Sequence, residues 1–258
     1  MTPSEIPGTA LRSPGKGHLR KNSAADGDRG MWMRRLELVI FDCDGVLVDS
    51  ELITSRVFAA MLTELGLPVS VAWLFENFVG RSMQHCWQQI AAMLGREVPG
   101  AFREEFQLRT LAALQAEVQP VRGVAAVLDS LHVPYCVASS GSHEKMATTL
   151  GATGLLPRFR DRLFSATEVA HGKPAPDIFL YAAARCGVDP ALCAVIEDSP
   201  AGVEAGVAAG MRVYGYSACT PAERLRAAGA QHTFNDMARL PELLFGAGVP
   251  NDLKNRLD

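Results

Sequence analysis

Five residues in this sequence carry charge in places where charge could do chemistry: Asp42, Asp44, Lys173, Glu197 and Asp198. In Phe41-Asp42-Cys43-Asp44-Gly45 two carboxylates, two residues apart, follow directly on the apolar run Leu38-Val39-Ile40-Phe41. At a strand end that spacing can project both groups to one side, where their repulsion calls for a cation. Taken alone, the pair reads first as two solvated turn aspartates ahead of a glycine. A second acidic pair, Glu197-Asp198, follows Ala194-Val195-Ile196. Alone it would be a helix cap, since Ser199-Pro200 comes next. Two acidic pairs at equivalent strand ends favour a metal centre, and carboxylate oxygens suit a hard cation such as magnesium.

Two further segments fit an anionic ligand. Ala138-Ser139-Ser140-Gly141-Ser142 ends an apolar run and precedes a helical pattern, so hydroxyls, backbone amides and the positive end of a helix meet there. Taken alone, the segment reads equally as ordinary serine capping. Lys173 lies in His171-Gly172-Lys173-Pro174-Ala175-Pro176-Asp177, where flanking prolines stiffen the loop and hold the ammonium in place.

These residues need elements to position them. Besides Leu38 to Phe41, short apolar runs recur at Pro134 to Ser139, Arg162 to Ala166, Cys193 to Glu197 and Met211 to Tyr216, each followed by a helical pattern. Strand then helix, repeated, predicts an α/β fold with a Rossmann-like parallel sheet covered on both faces, and ligands lie beyond the carboxyl ends of such strands. The gap between the first two runs is too long for one crossover helix. It holds helical stripes around Leu52 to Leu65, Cys86 to Leu94 and Phe102 to Leu114, which predicts an inserted α-helical cap domain over 52–117. The core domain is then 34–51 with 118–250. Residues 1–33 read as a flexible leader, with Met31 or Met33 as alternative starts, and 251–258 as a tail. Thr220-Pro221-Ala222-Glu223 predicts a capping box with proline at the first helical position.

Composition narrows the function classes. With 48% hydrophobic and 21% charged residues, 258 residues can close a sizeable core. A formal charge of −3 leaves no cation excess for a nucleic-acid backbone. No apolar stretch is long enough to span a bilayer, so no membrane role is expected. Cysteines 43, 86, 136, 186, 193 and 219 form no C-x-x-C pair and read as reduced thiols of a cytoplasmic protein.

In order and spacing, Asp42-Cys43-Asp44-Gly45-Val46-Leu47-Val48-Asp49-Ser50, then Ser139, then Lys173-Pro174-Ala175-Pro176-Asp177, then Glu197-Asp198-Ser199 resembles the haloacid dehalogenase superfamily of phosphatases. The likeness is to the subgroup with a helical cap after the first strand, and covers about Leu36 to Leu244. Phe41 to Glu51 and Cys136 to Ser139 look most like phosphatases of sugar phosphates, including the 6-phosphogluconate phosphatase type. The resemblance implies Asp42 as nucleophile and Asp44 as acid and base. It implies Ser139, Ser140 and Lys173 as phosphate-binding residues. Mg2+ would be held by Asp42, the main-chain carbonyl of Asp44 and Asp198, with Glu197 nearby. The partner implied is a small phosphorylated metabolite, the protein acting as a monomer or weak dimer.

The cap loop Gly80-Arg81-Ser82 is the expected substrate contact, Arg81 pairing with a carboxylate or second phosphate; the alternative is an exposed surface arginine. A phosphomutase resembling beta-phosphoglucomutase is the rival enzyme. This chain departs from it at Thr54, where the mutase has a hinge histidine, and at Met83, where it has a cap arginine. A catalytically silent binding protein on the same fold is the rival of another class. The remaining candidates have plainer readings: Gly202, Gly206 and Gly210 as close helix packing, Cys43 as a small buried side chain, and His85, His143 and His171 as ordinary polar histidines.

Overall fold

The computed structural model describes residues 35–79, 81 and 83–246. The expected leader over 1–33 and tail over 251–258 lie outside the described residues, as do Gly80 and Ser82 of the expected substrate loop.

The short apolar runs form strands because both of their faces are covered. Leu38–Phe41 (β1), Tyr135–Ser139 (β2), Leu163–Ser165 (β3), Cys193–Glu197 (β4), Arg212–Tyr216 (β5) and His232–Phe234 (β6) make one parallel sheet in the order β3-β2-β1-β4-β5-β6. On one face Val39, Phe41, Val137, Ile196 and Tyr214 pack with Val127, Leu128 and Leu150. On the other, Leu38, Ile40, Cys136, Val195 and Val213 pack with Ile178, Phe179 and Val203. Alternate residues thus serve opposite cores, so the strand sequences are apolar throughout. The expected parallel α/β sheet is observed. Its sixth strand, β6, was not foreseen.

Five helices stand between β1 and β2, the first four being Glu51–Glu64 (α1), Val71–Phe78 (α2), Met83–Leu94 (α3) and Gly100–Glu117 (α4). They share a core around Phe58, whose ring centroid lies 4.5 Å from that of Phe106, 5.1 Å from Trp87 and 5.9 Å from Phe78. The stripes of the sequence correspond to α1, α3 and α4. Helix α2 is an addition, started by Ser70, whose Oγ accepts the Trp73 N–H at 3.0 Å. The sheet is covered by Val124–Ser130 (α5), His143–Ala152 (α6), Asp177–Cys186 (α7), Pro200–Ala208 (α8), Ala222–Ala227 (α9) and Leu240–Phe245 (α10).

The predicted capping box at Thr220 does not form. Pro221 is extended, at φ −54 and ψ 132, so it becomes the cap residue itself and has no side-chain acceptor to offer. Thr220 Oγ1 is left buried without a hydrogen-bond partner. The predicted close packing at Gly206 is observed, since a Cβ there would lie 2.7 Å from Val213 Cγ2. Gly210, at φ 73, instead turns the chain after α8. Among the described residues no helix is long and apolar enough to cross a membrane.

Candidate active site

The candidate residues gather at the carboxyl edge of the sheet. Asp42 continues β1, its N–H donating to the Ile196 carbonyl at 2.9 Å, so its side chain leaves the sheet from a fixed backbone. The chain then folds back tightly, with the Leu47 and Val48 amides both donating to the Cys43 carbonyl at 2.9 and 3.1 Å. At Gly45, φ is 75 and a Cβ would lie 2.0 Å from Asp198 Oδ2. Glycine is required there twice over, for its backbone and for its missing side chain. At the end of β4, Glu197 is fully buried, and Gly202 on α8 makes room for it: a Cβ at Gly202 would lie 1.8 Å from Glu197 Oε1.

Lys173 ties three strand ends together. Its Nζ donates to Asp42 Oδ1 at 2.6 Å, to Glu197 Oε1 at 2.7 Å and to the Ala138 carbonyl at 3.0 Å, and it stands 4.9 Å from the Phe179 ring centroid. All three ammonium hydrogens therefore have protein acceptors. What Lys173 offers a phosphate directly is charge. Glu197 is held from its other side by the Ser199 N–H and Oγ, at 3.0 and 2.9 Å to Oε2.

One carboxylate oxygen from each of Asp42, Glu197 and Asp198 lies within 4.8 Å of the others, all three residues buried. Burial, with Glu197 and Asp44 adding to it and Lys173 opposing, pushes the Asp42 pKa up to about 7. Burial and the Glu197 and Glu51 charges likewise push that of Asp198 well above the usual carboxylate range. One ammonium does not balance this much buried negative charge. The donor set, oxygen-only and charge-deficient, fits a hard divalent cation.

Of the four residues expected at the metal, the Asp44 carboxylate stands apart from this cluster. Ser50 Oγ donates to its Oδ1 at 2.8 Å and Lys145 Nζ to its Oδ2 at 2.9 Å. Burial alone would raise the Asp44 pKa, but these two partners hold it below the usual carboxylate range. Ser139 is buried and its Oγ accepts the Gly141 N–H at 3.0 Å, which leaves the hydroxyl proton free to donate. Ser140 is exposed and lines the same cavity, a space of about 390 Å3 that also touches Asp42, Asp44, Lys145, Lys173 and Asp198.

The opposite wall of the cavity comes from α1 to α3, including Thr54, Phe58, Phe78 and Met83, and from Arg81, which is exposed. His143 pairs with Glu168, Nε2 to Oε2 2.8 Å, and His171 with Asp177, Nδ1 to Oδ2 3.1 Å; neither lines the cavity. Cys43 is buried, its Sγ 3.9 Å from Thr149 Oγ1, and burial with the adjacent carboxylates pushes its thiol pKa well up. Three site residues escaped the sequence reading: Lys145, Ser50 and Glu51. Lys145 left a trace. It is the third residue of α6, where the helix dipole disfavours a cation unless a carboxylate holds it.

The family model for haloacid dehalogenase-like hydrolases matches residues 36–210. The 6-phosphogluconate phosphatase of Escherichia coli (strain K12) is 32% identical over 212 residues, 82% of this chain and 96% of the relative. A haloacid dehalogenase-like protein of unknown function from Agrobacterium tumefaciens str. C58 superposes with a TM-score of 0.74 at 36% identity, over 81% of this chain and 97% of that one. A HAD family hydrolase from Deinococcus radiodurans R1, solved with bound phosphate and sodium, gives 0.70 at 30% identity, over 84% and 98%. The matched span runs from the residues just before β1 through α8, and so contains both acidic pairs, Ser139 and Lys173. On this match, and on a parallel sheet shared with those structures, the chain belongs to the haloacid dehalogenase-like hydrolases.

Proposed function

We propose that this hydrolase is a magnesium-dependent phosphatase of a small phosphate monoester, a sugar or sugar-acid phosphate, acting through an aspartyl-phosphate on Asp42. The observation that carries this reading is the state of Asp42. One of its oxygens is fixed by Lys173 at 2.6 Å, and it shares a cavity floor with Ser139 and the Glu197-Asp198 pair. Asp42, Asp198 and the Asp44 carbonyl would hold magnesium, with Glu197 behind them, and the ion would supply the positive charge that lets an anionic nucleophile approach an anionic ester.

The remaining work falls to the chain's own side chains. Asp42 attacks phosphorus in line, Ser139 holds a transferring oxygen and Lys173 supplies positive charge beside it. Asp44 protonates the leaving oxygen and then takes a proton from the hydrolytic water. Held by Lys145 and Ser50, Asp44 stands as a carboxylate, the form suited to the second step. The first step needs it protonated, and so released from the ammonium. Arg81 on the cavity wall suits the carboxylate of a sugar acid. The helices α1 to α4 would act as a cap that excludes water. The unpaired state of all six cysteines supports a reducing compartment, the cytoplasm.

The phosphomutase reading is disfavoured by Thr54 and Met83, which line the cavity at the two positions where the resemblance to the mutase fails. Release of inorganic phosphate from a panel of sugar and sugar-acid phosphates, with and without a chelator, tests the proposal. Magnesium-dependent release is expected, and Asp42→Asn should lower turnover by at least about 1000-fold while keeping the fold. Conversion of a hexose 1-phosphate to the 6-phosphate with little free phosphate would establish the mutase instead. Inactivity of pure folded protein across the panel would leave a binding protein.

A further inference from the structure

Ser139, the hydroxyl that would hold a phosphoryl oxygen, is itself held by the chain that follows it. Its Oγ accepts the Gly141 N–H at 3.0 Å. Gly141 is packed into the site, since a Cβ there would lie 3.4 Å from Ser139 Oγ and 3.7 Å from Asp44 Oδ2. A residue without a side chain has the freest backbone of all, so the direction of that N–H has to be fixed by something else. Ser165 does this from the next strand. Its Oγ donates to the Gly141 carbonyl at 2.7 Å. Ser165 is fully buried at the end of β3, in register with Ser139 at the end of β2, and does not line the cavity.

A plainer role for Ser165 is local. It begins the short 3-10 helix Ala166–Glu168, its Oγ accepting the Thr167 N–H at 3.2 Å while Glu168 Oε2 accepts the Ser165 N–H at 2.7 Å. That cap leaves two contacts unexplained. The single hydroxyl proton of Ser165 goes to the Gly141 carbonyl, which can only accept, so the Thr167 hydroxyl, 2.9 Å away, must donate in its turn. Glu168 Oε2 also holds Nε2 of His143, the first residue of α6, at 2.8 Å, and its Oε1 accepts the Tyr181 hydroxyl proton at 3.1 Å. The bonds to Gly141 and His143 do nothing for the cap. Both reach the segment 141–143, which joins the Ser139 hydroxyl to the helix whose positive end faces the phosphate site.

We propose that Ser165 is a positioning residue for phosphate binding. Through Gly141 it sets the direction from which Ser139 accepts a hydrogen bond, and so turns the Ser139 hydroxyl proton toward the phosphoryl oxygen, while Glu168 holds the start of α6 in place. The assignment builds on the phosphate site proposed above. A phosphate ester and inorganic phosphate present the same oxygen to Ser139, so binding of either should depend on Ser165.

Binding of inorganic phosphate to the full chain in magnesium, followed by calorimetry, tests this apart from turnover. Ser165→Ala should weaken phosphate binding about tenfold and lower kcat/KM by a similar factor, with magnesium affinity within about twofold of wild type. Thr167→Val removes a partner of the cap but leaves the Gly141 bond, and should change phosphate binding by no more than about twofold. The deciding measurement pairs Ser165 with Ser139. Once Ser139→Ala has removed that hydroxyl, adding Ser165→Ala should weaken binding by no more than about twofold further. The full loss in that background, an effect of Thr167→Val equal to that of Ser165→Ala, or unchanged binding in Ser165→Ala would each overturn the proposal. Should Ser165→Ala not fold, Glu168→Ala takes its place in the same cycle, with a severalfold loss that likewise vanishes without the Ser139 hydroxyl. A wild-type chain that binds phosphate and shows this coupling, yet releases none from any ester, would refute the phosphatase reading and leave Ser165 assigned; one that binds no phosphate would end both.

Discussion

At the scale of single residues, the site is a problem in where protons sit. A carboxyl whose pKa is higher folded than unfolded keeps a proton in the native state that the unfolded chain gives up. Stability is then full below the unfolded value, near 4, and falls as the pH rises toward the folded one. Asp42, raised to about 7, places that fall between pH 4 and 7, and Asp198 acts in the same direction. Without magnesium the protein should therefore lose on the order of 1–2 kcal/mol between about pH 5.5 and 7.5, and added magnesium should remove most of the loss. Thermal unfolding at the two pH values, in chelator and in magnesium, measures it; a chelated protein more stable at the higher pH would contradict the charge balance argued for the site. Asp44 has the opposite sign, because Lys145 and Ser50 hold its pKa down against burial. Replacing the ammonium, as in Lys145→Met, should let burial raise it. The limb of the pH–rate profile that reports protonated Asp44, which falls with rising pH, should move up by roughly one to two pH units. An unmoved limb would detach Lys145 from the proton transfer.

At the scale of elements, Gly45 beside Asp198 and Gly202 beside Glu197 decide whether the acidic groups can come together, and comparison of Gly45 with Gly210 isolates the cause. Gly45 and Gly210 both have positive φ, 75 and 73, so alanine strains the backbone at either. Only at Gly45 would the new Cβ run into a site residue, 2.0 Å from Asp198 Oδ2, whereas at Gly210 nothing lies within 4 Å. Gly210→Ala should cost about 1 kcal/mol and leave kcat within about twofold, while Gly45→Ala should lower kcat about 100-fold or more. Equal kinetic effects would mean that strain alone, rather than the place of Asp198, sets the rate. These positions also show what was legible beforehand. Strands β1 and β4 were visible because both faces are buried, and the acidic pairs because they end such strands. Strand β6 was not, since it has three residues at the sheet edge and only Phe234 is buried. The Lys173 loop stood out for its prolines, but its three acceptors come from β1, β2 and β4, and no local pattern announces contacts across so many residues. Lys145 was hidden similarly, its partner lying 101 positions away. At Thr220 a local pattern misled, because the backbone of Pro221 decided where the helix began.

At the scale of the molecule, the insert and the sheet have separate cores joined at two places. Ile53 of α1 and Leu114 of α4 belong to the sheet-side cluster with Val118 and Val121, whereas the buried side chains of α2 and α3, Leu74, Phe78, Cys86 and Ile90, pack only within the insert. A region whose burial is all local can open without unfolding the sheet, at a lower free energy. Amides of α2 and α3 should accordingly exchange with solvent faster than those of β1 and β4, with α1 and α4 between them. The same two helices supply Leu74, Phe78, Met83 and Cys86 to the cavity over Asp42. A ligand that binds the closed form must add its binding free energy to their opening, so magnesium with inorganic phosphate should slow exchange in α2 and α3 severalfold and leave β4 unchanged. Hydrogen exchange read by mass spectrometry distinguishes the outcomes. Uniform protection across insert and sheet would mean a single cooperative unit. Faster exchange in α2 and α3 with no response to ligand would mean helices that move but do not close on phosphate, and substrate selection would then have to lie with Ser139, Ser140 and the sheet edge alone.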